Sequence, residues 1–144
     1  MIIKQISIFV ENKKGRLAEI TETIAKAGAN IRALSIADTT DFGILRIIVD
    51  KPDAAAAALK EAGITVSITT VIAVGIEDVP GAFAVPMRIL ADADIDVEYM
   101  YAFITRKSEK AYVILRVADN NVAAKVLSEN GVELLSEDEF HEMM

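Results

Sequence analysis

Two short turns hold the residues best placed to do chemistry. The first is Glu11-Asn12-Lys13-Lys14-Gly15-Arg16-Leu17 and the second is Glu77-Asp78-Val79-Pro80-Gly81-Ala82-Phe83. Each carries a glycine at the same place, offset by 81 − 15 = 66 residues, close to half of the 144-residue chain. Each follows a β-like apolar run and opens a helix-like one. A helix N-terminus exposes unpaired backbone N–H groups with partial positive charge, which suits a ligand carboxylate. Gly15 and Gly81 lack Cβ and let a ligand approach the main chain. Glu11, Asn12, Asn30, Asp78 and Asp96 offer carboxylates and amides that can receive an α-ammonium group. The same residues also have a plainer reading, since Asn12 and Asp78 would be good helix N-caps and glycine is an ordinary turn residue.

Nothing comparable points to catalysis. His141 is the only histidine and lies in an acidic tail with Glu137, Asp138, Glu139 and Glu142, so it reads as part of a solvated helix rather than a metal site. Asp38, Asp41, Asp92 and Asp94 are loop or helix-end charges with no basis for general acid–base work. No phosphate-binding or dinucleotide-binding glycine pattern occurs. The absence of cysteine excludes disulfides, thiolate catalysis and Cys-ligated metals. The expectation is therefore a non-enzymatic protein with no catalytic residues, no metal and no cofactor.

Charge narrows the partners. With 15 basic and 22 acidic residues the net charge is −7, which would repel a phosphate backbone, and Lys13, Lys14 and Arg16 are the one small basic cluster. No nucleic-acid partner is expected. No apolar run approaches the roughly 20 residues that span a bilayer, and the opening residues show neither an apolar signal core nor a small-residue cleavage site. The expected location is the cytoplasm, with no membrane partner.

The elements that position the turns come in two copies. Ile6, Ile8 and Val10 alternate along a strand over 2–10; Leu17, Ile20, Ile24 and Ala27 then recur at helical spacing, with Gly28 as the helix stop. A strand over 30–37, a hairpin loop from Asp38 to Gly43 and a strand over 44–49 follow, the last apolar on both faces except Arg46 and so expected to be central. Pro52 precedes a plausible N-cap at Asp53, and a helix over 54–62 ends at Gly63 before a fourth strand from Ile64. The order is βαββαβ. In the second half, Ile72, Val74 and Ile76 match Ile6, Ile8 and Val10 at the 66-residue offset. Phe83, Met87, Leu90 and Ala91 mark a helix, 96–104 a strand, Arg106 to Lys110 a hairpin loop, 111–117 a strand, 120–130 a helix and 132–135 a strand. The glycines after the second helices are offset by 131 − 63 = 68, so the second hairpin loop is expected to be about two residues longer. Ser136 to Glu139 reads as a capping box opening a short helix toward Met144. Two copies of one supersecondary unit in register indicate an internal repeat, with boundaries at 1–69 and 70–144.

Three details sharpen the expectation. From Ile64 to Val74 there is no Gly, Pro or Asn, so the last strand of the first half should run straight into the first strand of the second. Pro86 falls inside the expected helix, so the helix either starts late or kinks and frees the Ala82 carbonyl. Tyr99, Tyr101 and Phe103 alternate where the first half has Ala33, Ser35 and Ala37. If Met100, Ala102 and Ile104 face the helices, the aromatics face away from them, where cover by another sheet and self-association are expected.

A βαββαβ unit whose first turn reads Asp/Asn-x-x-Gly-x-Leu resembles the ACT domain. The matches are Asn12, Gly15 and Leu17, then Asp78, Gly81 and Phe83. A small-residue helix end followed by Asn-Ile, here Ala27-Gly28-Ala29-Asn30-Ile31 and more weakly Ala93-Asp94-Ile95-Asp96-Val97, adds to the resemblance. It covers nearly the whole chain as a tandem pair. What it implies is an α+β, ferredoxin-like fold: two units with antiparallel sheets and helices on one face, pairing into larger sheets as a homodimer. It also implies a small amino-acid ligand where the first turn of a unit faces its neighbour. The ligand-binding candidates are Asn12, Gly15, Arg16, Leu17, Asn30, Ile31, Asp78, Pro80, Gly81, Ala82, Phe83 and Asp96. The first turn has Lys14 where the second has Pro80, the residue usual in the family, and is expected to be the more mobile. No catalytic domain accompanies the pair, so a regulated enzyme would be another polypeptide; the other reading is a structural dimerisation module without ligand.

Overall fold

A computed structural model describes residues 2–38, 41–105 and 107–143, and all but the side chain at position 104 within them. The elements run β1 (Ile3–Glu11), α1 (Arg16–Lys26), β2 (Ile31–Asp38), β3 (Phe42–Val49), α2 (Pro52–Glu61), β4 (Val66–Ile76), α3 (Ala84–Asp92), β5 (Tyr99–Ile104), β6 (Ala111–Arg116), α4 (Asn120–Glu129), β7 (Glu133–Leu135) and α5 (Glu137–Met143). The fold is mixed α+β with two βαββαβ units. The chain divides into compact units Lys4–Thr69 and Thr70–Met144, the latter with Met1–Ile3. As the seam composition predicts, β4 is one uninterrupted strand of 11 residues that ends the first unit and opens the second.

In Lys4–Thr69 the strand order is β2-β3-β1-β4. Strand alternation places Ile6, Ile8 and Val10 on one face, where they meet Ile20 and Ile24 of α1, Ala55, Ala56 and Leu59 of α2, and Leu45, Ile47 and Val49 of β3. Leu17 belongs to the helical stripe by spacing yet is 46% exposed; the first turn of α1 lies outside this cluster. The opposite face is also buried at Gln5, whose amide donates to the hydroxyls of Ser7 (3.1 Å) and Thr69 (3.0 Å). α2 begins one residue earlier than its expected cap. Pro52 is its first residue, where a missing N–H costs nothing and φ is preset, and Asp53 sits in the first turn rather than capping it.

In the second unit the order is β5-β6-β4-β7. Ile72, Val74, Val113 and Leu115 meet Leu90 of α3 and Ala123 and Leu127 of α4. The pairs Asp38↔Gly43 and Ile104↔Ala111 close the two hairpins, so the second loop is longer by (111 − 104) − (43 − 38) = 2 residues. Thr39 and Thr40 of the first loop and Arg106 of the second lie outside the described residues, as does Met144 beyond α5.

One end of the aromatic stripe is covered from within the chain. Phe103 stacks on Tyr112 at 5.8 Å and meets Phe140 of α5 edge-on at 5.0 Å. Phe140 is fully buried. The chain's own last helix covers that end of the stripe. Ser136 caps α5 as read, its hydroxyl accepting from the Glu139 N–H at 3.1 Å, which is one of the two bonds of a capping box. At the other end of α5, Thr105 and Lys107 donate to the carbonyls of Met143 and Glu142 (2.7 and 2.6 Å). Met100 and Ala102 pair with the core residues Leu115 and Val113, but remain exposed because β5 is the edge strand.

Candidate functional site

The buried alternation of β1 delivers the chain to the first turn. There the Asn12 N–H donates to the Asp41 carbonyl (3.3 Å), and the Lys13 N–H reaches back to the Glu11 carbonyl (2.8 Å). Gly15 takes φ 82°, ψ −5° and is itself the N-cap of α1, with no side-chain cap. Asn12 therefore does not cap the helix, because the left-handed glycine intervenes. Left-handed backbone is cheap for glycine and strained for other residues. The Lys13 ammonium lies 2.8 Å from Glu11, and its hydrogen bond and charge hold the Glu11 carboxyl below the ordinary value. Arg16 pairs with Glu19 at 2.9 Å, while its Nε is buried without a partner. Glu11, Lys13, Lys14, Gly15, Arg16 and Glu19 line an open depression of about 330 Å³.

The second turn is built differently. Gly81 has φ 87°. The N–H groups of Ala82, Ala84 and Val85 donate to the carbonyls of Val79, Gly81 and Ala82 at 3.2, 3.1 and 3.4 Å. α3 then starts only at Ala84, which puts Pro86 in its first turn, where its missing N–H would have had no helical partner. Of the two readings of Pro86, the late start is the one realised, and the Ala82 carbonyl is engaged by Val85 rather than free. Like α1, α3 has no side-chain cap; Asp78 stands exposed, outside that role. By contrast α4 is closed by Asp119, which accepts from Asn121 and Val122 at 3.1 Å.

The remaining candidates divide by position. Gly15 and Arg16 share the first depression. Leu17, Asn12 and Asn30 are exposed, and Ile31 packs against the first core. The Asn30 main chain grips Asp50: its N–H donates to the carboxylate at 2.7 Å, and that bond is the main cause of the lowered Asp50 pKa. Pro80 is exposed and Phe83 half-buried against the second core. Asp96 lines a depression of about 400 Å³ with Asp94, Ile95, Glu98, Ala118, Asp119 and Val122, apart from the turn residues of its own copy. Asp94 adopts φ 59° at the position of Gly28 in the first copy, a conformation aspartate tolerates better than most residues. Among the described residues no group of three or more His, Asp or Glu is placed to hold a metal, and no helix is long and apolar enough to cross a membrane.

One constellation escaped the sequence reading. Behind the second turn, Gly75, Glu77, Ala82, Pro86, Lys110 and Glu133 are among the residues around a cavity of about 220 Å³. The Lys110 ammonium donates to Glu133 at 2.8 Å and lies 3.8 Å from Glu77. The hydrogen bond and charge of Glu133 hold Lys110 above the ordinary lysine value. The available signal was Gly75, a glycine inside a mostly β-branched strand, which often marks a close approach.

Comparisons with known proteins accord with this architecture. The family described as an ACT domain pair matches residues 1–144. A protein of known structure from Bacteroides thetaiotaomicron is 42% identical, with TM-score 0.91 over 99% of this chain and 97% of that one. The regulatory subunit of aspartate kinase from Thermus thermophilus, in a ligand-free form, shares the fold with TM-score 0.63 at 17% identity, over 89% of this chain and 92% of that one. That of Thermus flavus does so with TM-score 0.60 at 15% identity, over 90% and 94%. No curated protein matches the chain.

Proposed function

Because the chain belongs to the ACT domain pair family, we propose that it is a non-enzymatic regulatory protein that binds a small amino acid at its β1–α1 turns. The observation that carries this reading is shared by both copies. A left-handed glycine precedes a helix of nine or more residues with no side-chain cap, and nothing lies within 4 Å of a Cβ built on either glycine. At the first turn, helix-terminal amides without a side-chain cap can take a carboxylate. At the second, Ala84 and Val85 already donate within the turn and Pro86 has no N–H, so there the open space over Gly81 is the supporting feature. Asn12, Gly15, Arg16 and Leu17 with Asn30 and Ile31 form the first candidate set; Asp78, Pro80, Gly81, Ala82 and Phe83 with Asp96 form the second.

We take 1–69 and 70–144 as the two domains. A homodimer fits the edge strand β2, where Leu34 and Ile36 are 59% and 49% exposed. The ligand acts through different affinities for two arrangements of the protein. The similarity in fold to aspartate kinase regulatory subunits supports regulation as the role.

Thermal-shift measurement with the common amino acids tests the proposal, since a ligand at 100 times its dissociation constant adds about 2.7 kcal/mol. A shift that is lost in Gly15→Val or Gly81→Val supports the turns as sites. No shift with any amino acid overturns the reading, and a shift unchanged in both variants misplaces the site.

A further inference from the structure

The internal duplication supplies its own control for the cavity over Gly75. By the 66-residue offset, Gly75 corresponds to Phe9 (75 − 66 = 9). In the later strands the offset is 68, so Lys110 corresponds to Phe42 (110 − 68 = 42) and Glu133 to Thr65 (133 − 68 = 65). The strand registers agree: Ile6↔Ile47 in the first unit is Ile72↔Leu115 in the second. In the first unit Phe9 and Phe42 stack with centroids 4.6 Å apart, and two rings occupy the position. In the second unit the same position holds a glycine, a lysine and a glutamate, with the edge of the Tyr112 ring against Gly75 and an open depression beside the charges.

Gly75 is there for room, not for backbone freedom, since its φ lies outside the left-handed range. A Cβ would fall 2.7 Å from Glu133 Oε2 and 3.0 Å from Tyr112 Cε1. The strand has given up a side chain so that a carboxylate can lie over its main chain. An exposed ion pair contributes little stability, whereas glycine inside a strand costs conformational entropy. The Tyr112 ring against Gly75 accounts for the glycine in part, but not for a lysine and a glutamate where the first unit has Phe42 and Thr65.

The charges suit one ligand class. Lys110 is a point cation for a carboxylate, and Glu133 and Glu77 are anions for an ammonium, all around one cavity. Ile76, Val85, Pro86 and Val132 add an apolar wall. At about 220 Å³ the depression is below the roughly 300–1,000 Å³ of drug-sized pockets, a size that a small zwitterion fills.

We propose that this cavity is a second amino-acid site, built within the second unit. It takes the α-carboxylate of a small zwitterion on Lys110 and its α-ammonium on Glu133 and Glu77. The proposal rests on the amino-acid-binding reading above but places a site apart from the turn amides. The ligand inserts by exchanging partners with the Lys110–Glu133 pair, so both charges stay compensated.

Isothermal titration of the full chain with glycine, alanine, serine and threonine tests it, with propionate and ethylamine as half-ligand controls for alanine. The expected result is a class of sites that Glu133→Gln and Lys110→Met each weaken about tenfold or more, the size of one charge-assisted hydrogen bond. Neither half-ligand should fill it. Gly75→Ala should weaken the same class by displacing Glu133. If Gly75→Ala fails to fold, the near-isosteric Glu133→Gln decides, with circular dichroism confirming its fold. Binding by the wild type that is unchanged in Glu133→Gln and Lys110→Met overturns this site and leaves the turn sites standing. Absence of binding by any of the four overturns the site at once, and the broader thermal-shift screen then decides the regulatory reading separately.

Discussion

Phe140 meets Phe103 edge-on at 5.0 Å and is fully buried, so the last helix of the chain closes over the aromatic end of β5. A helix of seven residues is not stable by itself in water; this contact and the bonds from Thr105 and Lys107 hold it. Phe140→Ala should cost about 3–5 kcal/mol, the usual range for a buried Phe-to-Ala change. It should also uncover Phe103 and Tyr112 and raise self-association. Urea denaturation measures the first effect and light scattering the second; a variant that loses less than about 1 kcal/mol would mean that α5 is not docked.

Gln5 tests the cost of polarity inside the first unit. Its side chain is completely buried and donates to Ser7 and Thr69. Thr69→Val keeps the volume and removes one acceptor while Ser7 remains, so it should cost about 0.5–1.5 kcal/mol, the net worth of one hydrogen bond. Adding Gln5→Leu should recover part of that loss. A double-mutant cycle by chemical denaturation checks the pair, and strict additivity would argue against the coupling.

The capped helix gives a smaller, local test. Asp119 accepts from two N–H groups at the start of α4, so Asp119→Ala should cost about 0.5–2 kcal/mol. Asp119→Asn, which preserves an acceptor, should cost less. Thermal denaturation of both variants distinguishes a cap from an incidental surface charge.

Acid should weaken the first unit through Asp50. Its carboxylate accepts the Asn30 N–H, which holds its pKa below the ordinary aspartate value. A carboxylate with a depressed folded-state pKa lends stability that is fully present above its unfolded value, about pH 4. That stability disappears as the pH falls through the lower folded value. Asp50→Asn should therefore flatten the acid limb of the stability curve while changing little in its shape near neutrality. Denaturation midpoints taken across the acid range read the difference.

The repeat was legible because its punctuation is covalent. Gly15 and Gly81 adopt positive φ, and residues that must do so announce themselves in a sequence. The same holds for Gly28, Gly63 and Gly131 at the helix ends, and for the alternation of Ile6, Ile8 and Val10. The unpunctuated seam was equally direct, since a strand with no turn residue has little option but to continue. Side-chain consequences were less accessible. Leu17 has the right spacing for the core, but spacing does not say how far a helix overhangs its sheet. Pro52 and Pro86 each shifted a helix start by one or two residues, because proline fits the first turn as readily as it breaks the interior. Lys110 and Glu133 are 23 positions apart, and only the pairing of β7 with β4 brings Glu133 opposite Gly75. No local pattern encodes that meeting.

The single strand β4 carries a constraint on how this chain can change. Side chains alternate along it, with Ile72 and Val74 in the second core cluster and Val71 and Ala73 buried on the other side. One residue inserted near Thr70 would exchange those two sets along the rest of β4, because a one-position slip inverts a strand. The facing of β4 is thus fixed by its length, and length variation must be absorbed elsewhere. The hairpin before β6, two residues longer than its counterpart, is where the chain has accepted it.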